Sequence, residues 1–134
     1  MMDIILTVIS IICIFLSGMS EAIMDKLQFH FEKSIYSNPT KYNQLFWNPI
    51  ESWKNKWKDD LKTEKFLGSS TLFVFTTDAW HLFKFFRTTS LFIGLGLLPF
   101  ITFNPIIMIL SLRIIFGLTF TLFFDVILVK SDSN

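Results

Sequence analysis

Between residues 4 and 20 the chain carries no charged side chain, and the run DIILTVISIICIFLSGMSEAIM reaches the roughly 20 residues that a helix needs to cross the hydrocarbon of a bilayer. Asp3 stands where a signal peptide would place its basic start, and nothing near Ser20 looks like a small-x-small cleavage site, so the segment reads as a retained spanning helix. No lipid-attachment pattern precedes Cys13, which excludes a lipid-anchored product on this reading. Cys13, the sole cysteine, fits a small apolar packing position.

A second uncharged stretch runs from 88 to 112, interrupted by Pro99 and by Asn104-Pro105. An Asn-Pro pair breaks a helix because proline disfavours a helical residue before it. The expectation is a helical hairpin with arms at 88–103 and 106–129, the second about 36 Å long at 1.5 Å per residue, followed by a polar tail at 130–134. Half of the 134 residues are apolar, 17 of them Phe, and the net charge is +1. Such a chain calls for an apolar solvent and carries no global pull toward nucleic acid.

The charges are gathered instead of spread: residues 26–65 hold eight of the twelve basic side chains together with Trp47, Trp53 and Trp57. Helix one is expected over about 3–36, stopped by Asn38-Pro39. In the loop that follows, 37–65, Asn48-Pro49 would open a short amphipathic helix, IESWKNKWKDDLK, with Pro49 in its first turn. Ile50, Trp53 and Trp57 would line one side and Lys54, Lys58 and Lys62 another, the pattern of a helix lying at a membrane interface against anionic lipid. The competing reading packs the tryptophans on the rest of the protein. Interspersed Asp59, Asp60 and Glu64 argue against nucleic acid as the partner of this loop.

Residues 66–86 are long enough to span but carry Asp78, His81 and Lys84. If they do not span, every Lys and Arg except Arg113 falls on one side, which the positive-inside tendency assigns to the cytoplasm, with the N-terminus outside. The expected architecture is an all-α membrane bundle of three to four apolar helices plus the short interfacial one, forming a single domain.

Polar residues at membrane depth are the only chemical signal. Thr7, Ser10, Ser17, Glu21, Asp25 and Gln28 recur at three-, four- and seven-residue steps, one stripe of a helix. Arg113, Gly117, Thr121 and Asp125 form a second stripe, drifting by about 40° per step, and the two are expected to face each other. Ser90 and Gly94, four apart, allow a close helix approach in lipid. Ionisable groups inside a membrane are expensive unless paired, solvated or near an end, so Arg113 is expected to pair with Asp78, Glu21 or Asp125, or to snorkel. A sharper alternative makes Glu21, Asp25, His30, Asp78 and His81 ligands of a divalent metal, because Asp78-x-x-His81 has the spacing that sets a carboxylate and an imidazole on one helix face. In that alternative Asp78, His81 and Arg113 are the catalytic candidates of an enzyme acting on a lipid at the cytoplasmic interface. No phosphate-cradling loop, HExxH or GxSxG is present, so nucleotide and hydrolase chemistry of those kinds is not expected. Two further classes remain: a structural component that assembles with itself or another membrane protein through Ser90, Gly94, Gly117 and Thr121, and an ion or proton channel subunit.

Overall fold

The computed structural model describes residues 1–130; of the polar tail expected at 130–134, residues 131–134 lie outside the described residues. The fold is all-helical. Helix α1 covers Met2–Phe29, a short α2 covers Gln44–Trp47, α3 covers Ala79–Gly96 and α4 covers Pro105–Thr121, continued by a π-helical stretch over Leu122–Ile127. Three of these pieces are long and apolar enough to cross a membrane: Met2–Phe29, Ala79–Phe100 and Pro105–Ile127.

Helix α1 is the centre of the bundle. Helices α3 and α4 both pack along it and scarcely touch each other. Ser10 reaches α3 at Gly94 and Ser17 reaches it at Arg87, so α3 runs antiparallel to α1. Gly18 lies against Phe116 and Lys26 against Phe124, so α4 runs parallel to it. Met1 and the turn between α3 and α4 therefore share one end, tied by a bond from Thr102 Oγ1 to Asp3. The long connection between α1 and α3 and the end of α4 share the other.

Local chemistry explains most boundaries, and it corrects three expectations. Helix one stops at Phe29 instead of continuing to 36, because the chain beyond it pairs with the end of α4: Ile35 N–H donates to the Leu128 carbonyl at 3.1 Å and Lys130 N–H to that of Lys33 at 2.9 Å. The amphipathic interfacial helix is absent. Asn48 Oδ1 instead accepts from Ile50 N–H at 3.0 Å, an Asx turn, and only Ser52–Lys56 turns, as 3-10 helix. Asp59 then accepts from Thr63 N–H and Trp57 bridges to Glu64. Short acidic side chains offer the backbone an alternative to helix, and the KDDLKT stretch takes it.

The third correction concerns 66–86. It is not a helix of its own: turns and a 3-10 piece over Val74–Thr76 lead to Asp78, which caps α3 by accepting from His81 N–H at 2.9 Å. The expected break between 86 and 88 falls inside α3. The hairpin itself stands, with Asn104 capping α4 through Ile106 N–H at 3.0 Å and Pro105 in the first turn, where its missing N–H costs nothing.

The core has two parts. Ile14, Ile101, Met108 and Leu112 fill the Met1 end, and Ala22, Ile23, Leu27, Tyr36, Ala79 and Leu128 fill the other. Trp47 belongs to the second: it stacks on Tyr36 with ring centroids 4.1 Å apart, beside Tyr42 and Phe46. Burial pushes the Tyr36 phenol above its ordinary pKa, and the neighbouring Tyr42 adds to the effect. Trp47 is thus a packing residue, whereas Trp53 is exposed with the Lys54 ammonium over its ring.

Candidate functional site

The ionisable side chains expected to share one site are divided between two places. The first is a cleft that opens because α3 and α4 lean on α1 without closing on each other. Its upper cavity, about 330 Å³, has Ile14 as floor, Arg87, Leu91 and Leu95 on the α3 wall, and Leu112, Arg113 and Phe116 on the α4 wall. The adjoining cavity, about 390 Å³, is lined by Glu21, Asp25, Arg113, Gly117, Phe120 and Thr121. Arg113 belongs to both.

Helix periodicity puts Ile14, Glu21 and Asp25 in one row on α1. Glu21 forms an ion pair with Arg87, a partner that the sequence reading missed because it placed Arg87 at a segment boundary. The pairing expected for Arg113 does not occur: among the described residues no carboxylate lies within 4.0 Å of it, and its guanidinium rests 5.9 Å from the Phe116 ring centroid with Nη1 turned toward Gly117. Asp25 likewise has no cation within that distance among the described residues. The two expected stripes meet only in part. Arg113, Gly117 and Thr121 reach the cleft, but Asp125 sits in the π-helical stretch, whose extra residue per turn rotates it out of the row.

Gly94 lies at a close approach of α3 to α1 within the chain, whereas the Ser90 hydroxyl bonds to the Phe86 carbonyl of its own helix. A Cβ on Gly94 would stand 3.2 Å from Cys13 and Ile14, and Ser10 Oγ donates to the Gly94 carbonyl at 2.7 Å. A close α1–α4 contact uses Gly18, which the sequence reading did not single out: a Cβ there would come within 2.8 Å of the Phe116 carbonyl oxygen. Its signal was present, since Ser10, Ser17, Gly18 and Ala22 are small residues in an otherwise bulky helix, the composition that lets helices approach in lipid. Gly117 has only the Arg113 guanidinium near it, and Thr121 is exposed.

The second place is a pocket of about 290 Å³ at the end where the long connection lies. Gln28, Ser52, Trp53, Lys56, Asp78 and His81 line it. Asp78, 3% exposed, holds His81 Nδ1 at 2.7 Å through Oδ2 while its other oxygen caps the helix. The other imidazole nitrogen is left available to the pocket. Gln28 Oε1 accepts from Trp80 Nε1 at 3.2 Å and joins α1 to α3 here.

Nearby, the lysine-rich turn encloses a third hollow of about 280 Å³ with Trp53, Lys54, Trp57, Lys58 and Lys62. Hydrogen bonds set the carboxylates of the turn around it, Glu64 beyond the hollow and Asp59 in its wall. The Ser70 hydroxyl and the Gly68 and Ser70 amides hold Glu64 below the ordinary carboxylate pKa, and Thr63 does the same for Asp59.

The five residues offered as metal ligands are not brought together. His30 stands edge-on to the Phe124 ring, 5.4 Å between centroids, Glu21 and Asp25 line the cleft, and Asp78 and His81 face the second pocket. Among the described residues no three His, Cys, Asp or Glu side chains form a group that could hold a metal ion. The geometry therefore gives the metal expectation no support.

The fold and its cleft define a small all-helical chain with three membrane-length apolar helices. No protein-family model matches it, and no curated protein or solved structure does either.

Proposed function

We propose that this chain is an integral membrane component whose work is assembly, and that the cleft between α3 and α4 is where another membrane helix docks. The supporting observation is the unpartnered pair of opposite charges. Arg113 lies about 12 Å into α4 from Pro105 at 1.5 Å per residue, and a cation at such depth costs at least about 2.5 kcal/mol unless paired or solvated. Asp25 and the small residues Gly117 and Thr121 border the same cavity. A transmembrane partner supplies the missing contacts and uses the room that glycine leaves.

In this reading the end that carries the long connection faces the cytoplasm, because that connection holds most of the Lys and Arg, and the N-terminus lies outside. Trp53, Lys54 and Lys58 meet the lipid headgroups.

The test is cysteine crosslinking in native membranes, using Thr121→Cys in a Cys13→Ser background with a short bismaleimide. The expected product is a discrete adduct larger than the monomer. Monomer alone at every crosslinker length overturns the assembly reading.

A second reading, headgroup chemistry at the inner interface, draws on the pocket where Asp78 orients His81 beside Lys56 and Ser52. An imidazole whose Nδ1 is held by a carboxylate is set up as a proton acceptor at its other nitrogen. Phosphorus NMR of phospholipid vesicles incubated with the purified protein checks it: headgroup turnover lost in His81→Gln supports it, and no turnover by the wild type removes it.

A further inference from the structure

We propose that the pocket at the start of α3 hydrolyses a carboxylic ester of a membrane lipid, with Ser52 as the nucleophile and His81 as the base that activates it. The proposal rests on the second reading above for His81 as proton acceptor, and adds the nucleophile and the bond that is cut. Asp78 holds His81 Nδ1 at 2.7 Å and completes the set of nucleophile, base and orienting group that acyl transfer uses.

Ser52 opens the 3-10 turn Ser52–Lys56, is 6% exposed, and lines the same pocket as Asp78 and His81. That turn is fastened to the start of the helix carrying the base: Asn55 Nδ2 donates to the carbonyl of Thr77, the residue before Asp78. Bonds in and around the turn occupy its other polar groups. Asn48 Oδ1 takes the Ile50 N–H, the Asn48 carbonyl takes the Ser52 N–H at 2.8 Å, and Glu51 pairs with Lys54. Among the described residues the Ser52 hydroxyl has no hydrogen-bond partner, and a hydroxyl so buried is costly to leave unmet. It is not bonded to His81 either, and contacts of this kind commonly tighten only around a substrate. Lys56, four residues on, brings to the pocket an ammonium with no carboxylate within 4.0 Å among the described residues, available to a developing oxyanion.

The steps balance with water as the only co-reactant. Ser52 Oγ bonds to the ester carbonyl carbon while its proton passes to His81 Nε2. The oxyanion collapses, the carbon–oxygen bond to the alcohol half breaks, and the alkoxide leaves with the proton from Nε2. Water then attacks the acyl-Ser52 ester, giving one proton through Nε2 to Ser52 Oγ, and the fatty acid is released. Acyl transfer develops one charge on one oxygen, which Lys56 alone can answer; phosphoryl transfer spreads charge over several oxygens and calls for more cationic contacts than this pocket offers. Trp53 and Trp80 give the pocket apolar walls at the mouth of a membrane-length helix, where indole rings favour the headgroup layer in which lipid esters lie.

The test is a long-chain alkyl fluorophosphonate incubated with the purified chain in phosphatidylcholine vesicles; the attacked phosphorus loses fluoride and stays on the nucleophile. Peptide mass spectrometry is expected to find the adduct on Ser52 of the wild type, a result that depends on no variant folding. Ser52→Ala, which removes a hydroxyl that bonds to nothing in the fold, should abolish it. His81→Gln keeps the backbone N–H that Asp78 caps and should slow labelling at least about a hundredfold, the scale of a general base. An adduct only at other residues, or Ser52 labelled as fast in His81→Gln as in the wild type, overturns the proposal. Phospholipid turnover in the phosphorus spectrum without an adduct on Ser52 also overturns it and leaves the His81 reading standing, whereas neither adduct nor turnover removes both.

Discussion

Helix α1 shows two faces of unequal completeness. On the side of α3, Ser10 and Ser17 hydroxyls bond to α3 carbonyls at 2.7 and 3.1 Å, Gly94 lets the helices close, and Glu21 takes up Arg87. On the side of α4, contact is made around Gly18, in the apolar cluster of Ile14, Met108 and Leu112, and toward the other end where Ala22, Ile23 and Leu27 meet Leu128 and Phe124. Beside these contacts that side opens into the cleft, where Asp25 and Arg113 stand unpaired. Apolar packing brings two helices together without settling their polar groups, because lipid tails are as apolar as the helix surface and only hydrogen bonds, charge pairing and close fit discriminate. On the α3 side the polar contacts are made within the chain, apart from the Ser20 hydroxyl, which borders a cavity between α1 and α3. The α4 side is where something further has a physical reason to bind.

The strongest way to break this comparison is Gly18→Val. The atom in its way is a backbone carbonyl oxygen at 2.8 Å from the first added carbon, which cannot swing aside as a side chain would. Overpacking of this kind costs about 1–3 kcal/mol or more, so detergent denaturation should show α4 released at lower denaturant while α1 and α3 stay associated. Gly96→Val is the control: a Cβ there meets nothing within 4 Å, and its effect should be confined to helix propensity. Equal losses from both variants would mean that Gly18 marks no close contact.

Asp78→Ala is the next largest. It removes the α3 cap and the His81 partner together, and cap loss alone costs about 1 kcal/mol. The damage should appear at the start of α3, as faster amide exchange at Ala79, Trp80 and His81, with the Ser10 and Ser17 contacts further along unaffected. Uniform acceleration along α3 would show that the helix is not anchored independently on the α1 side.

This capping role also explains how far the site could be read in advance. Asp78-x-x-His81 was recognised as a pair on one helix face, and the pair is real, but the same spacing describes an Asp that accepts from the N–H three residues on. From spacing alone, capping and ligation are indistinguishable. What would have favoured the cap is its setting, a short acidic side chain directly before a long apolar run.

The three membrane-length helices and the Asn104-Pro105 break were legible, because periodicity, length and proline geometry are local. Where α1 ends was not: it is fixed by backbone bonds from Lys130 to Lys33 and from Ile35 to Leu128, almost a hundred residues apart in sequence. Partner choice failed for the same reason. A helical stripe says that Glu21 and Arg113 need partners, but not which helix leans where, and Arg87 reached Glu21 first.

The smallest effects test the comparison most finely, because three serines of α1 differ in what they bond and not in residue type. Ser10 and Ser17 each donate to α3, whereas the hydroxyl of Ser20, 1% exposed, has no hydrogen-bond partner among the described residues. Hydrogen bonds between membrane helices average about 0.6 kcal/mol, so Ser10→Ala and Ser17→Ala should each lower stability by about that amount in detergent denaturation. Ser20→Ala removes no bond and relieves a buried polar atom of its unmet need, and such a change is neutral or stabilising. If all three cost the same, the loss reflects packing volume and not the two hydrogen bonds to α3. If Ser20→Ala is stabilising while the other two are not, the α3 side is held by those two specific bonds, and the unpaired groups across α1 stand out as the part of the molecule left for a partner to complete.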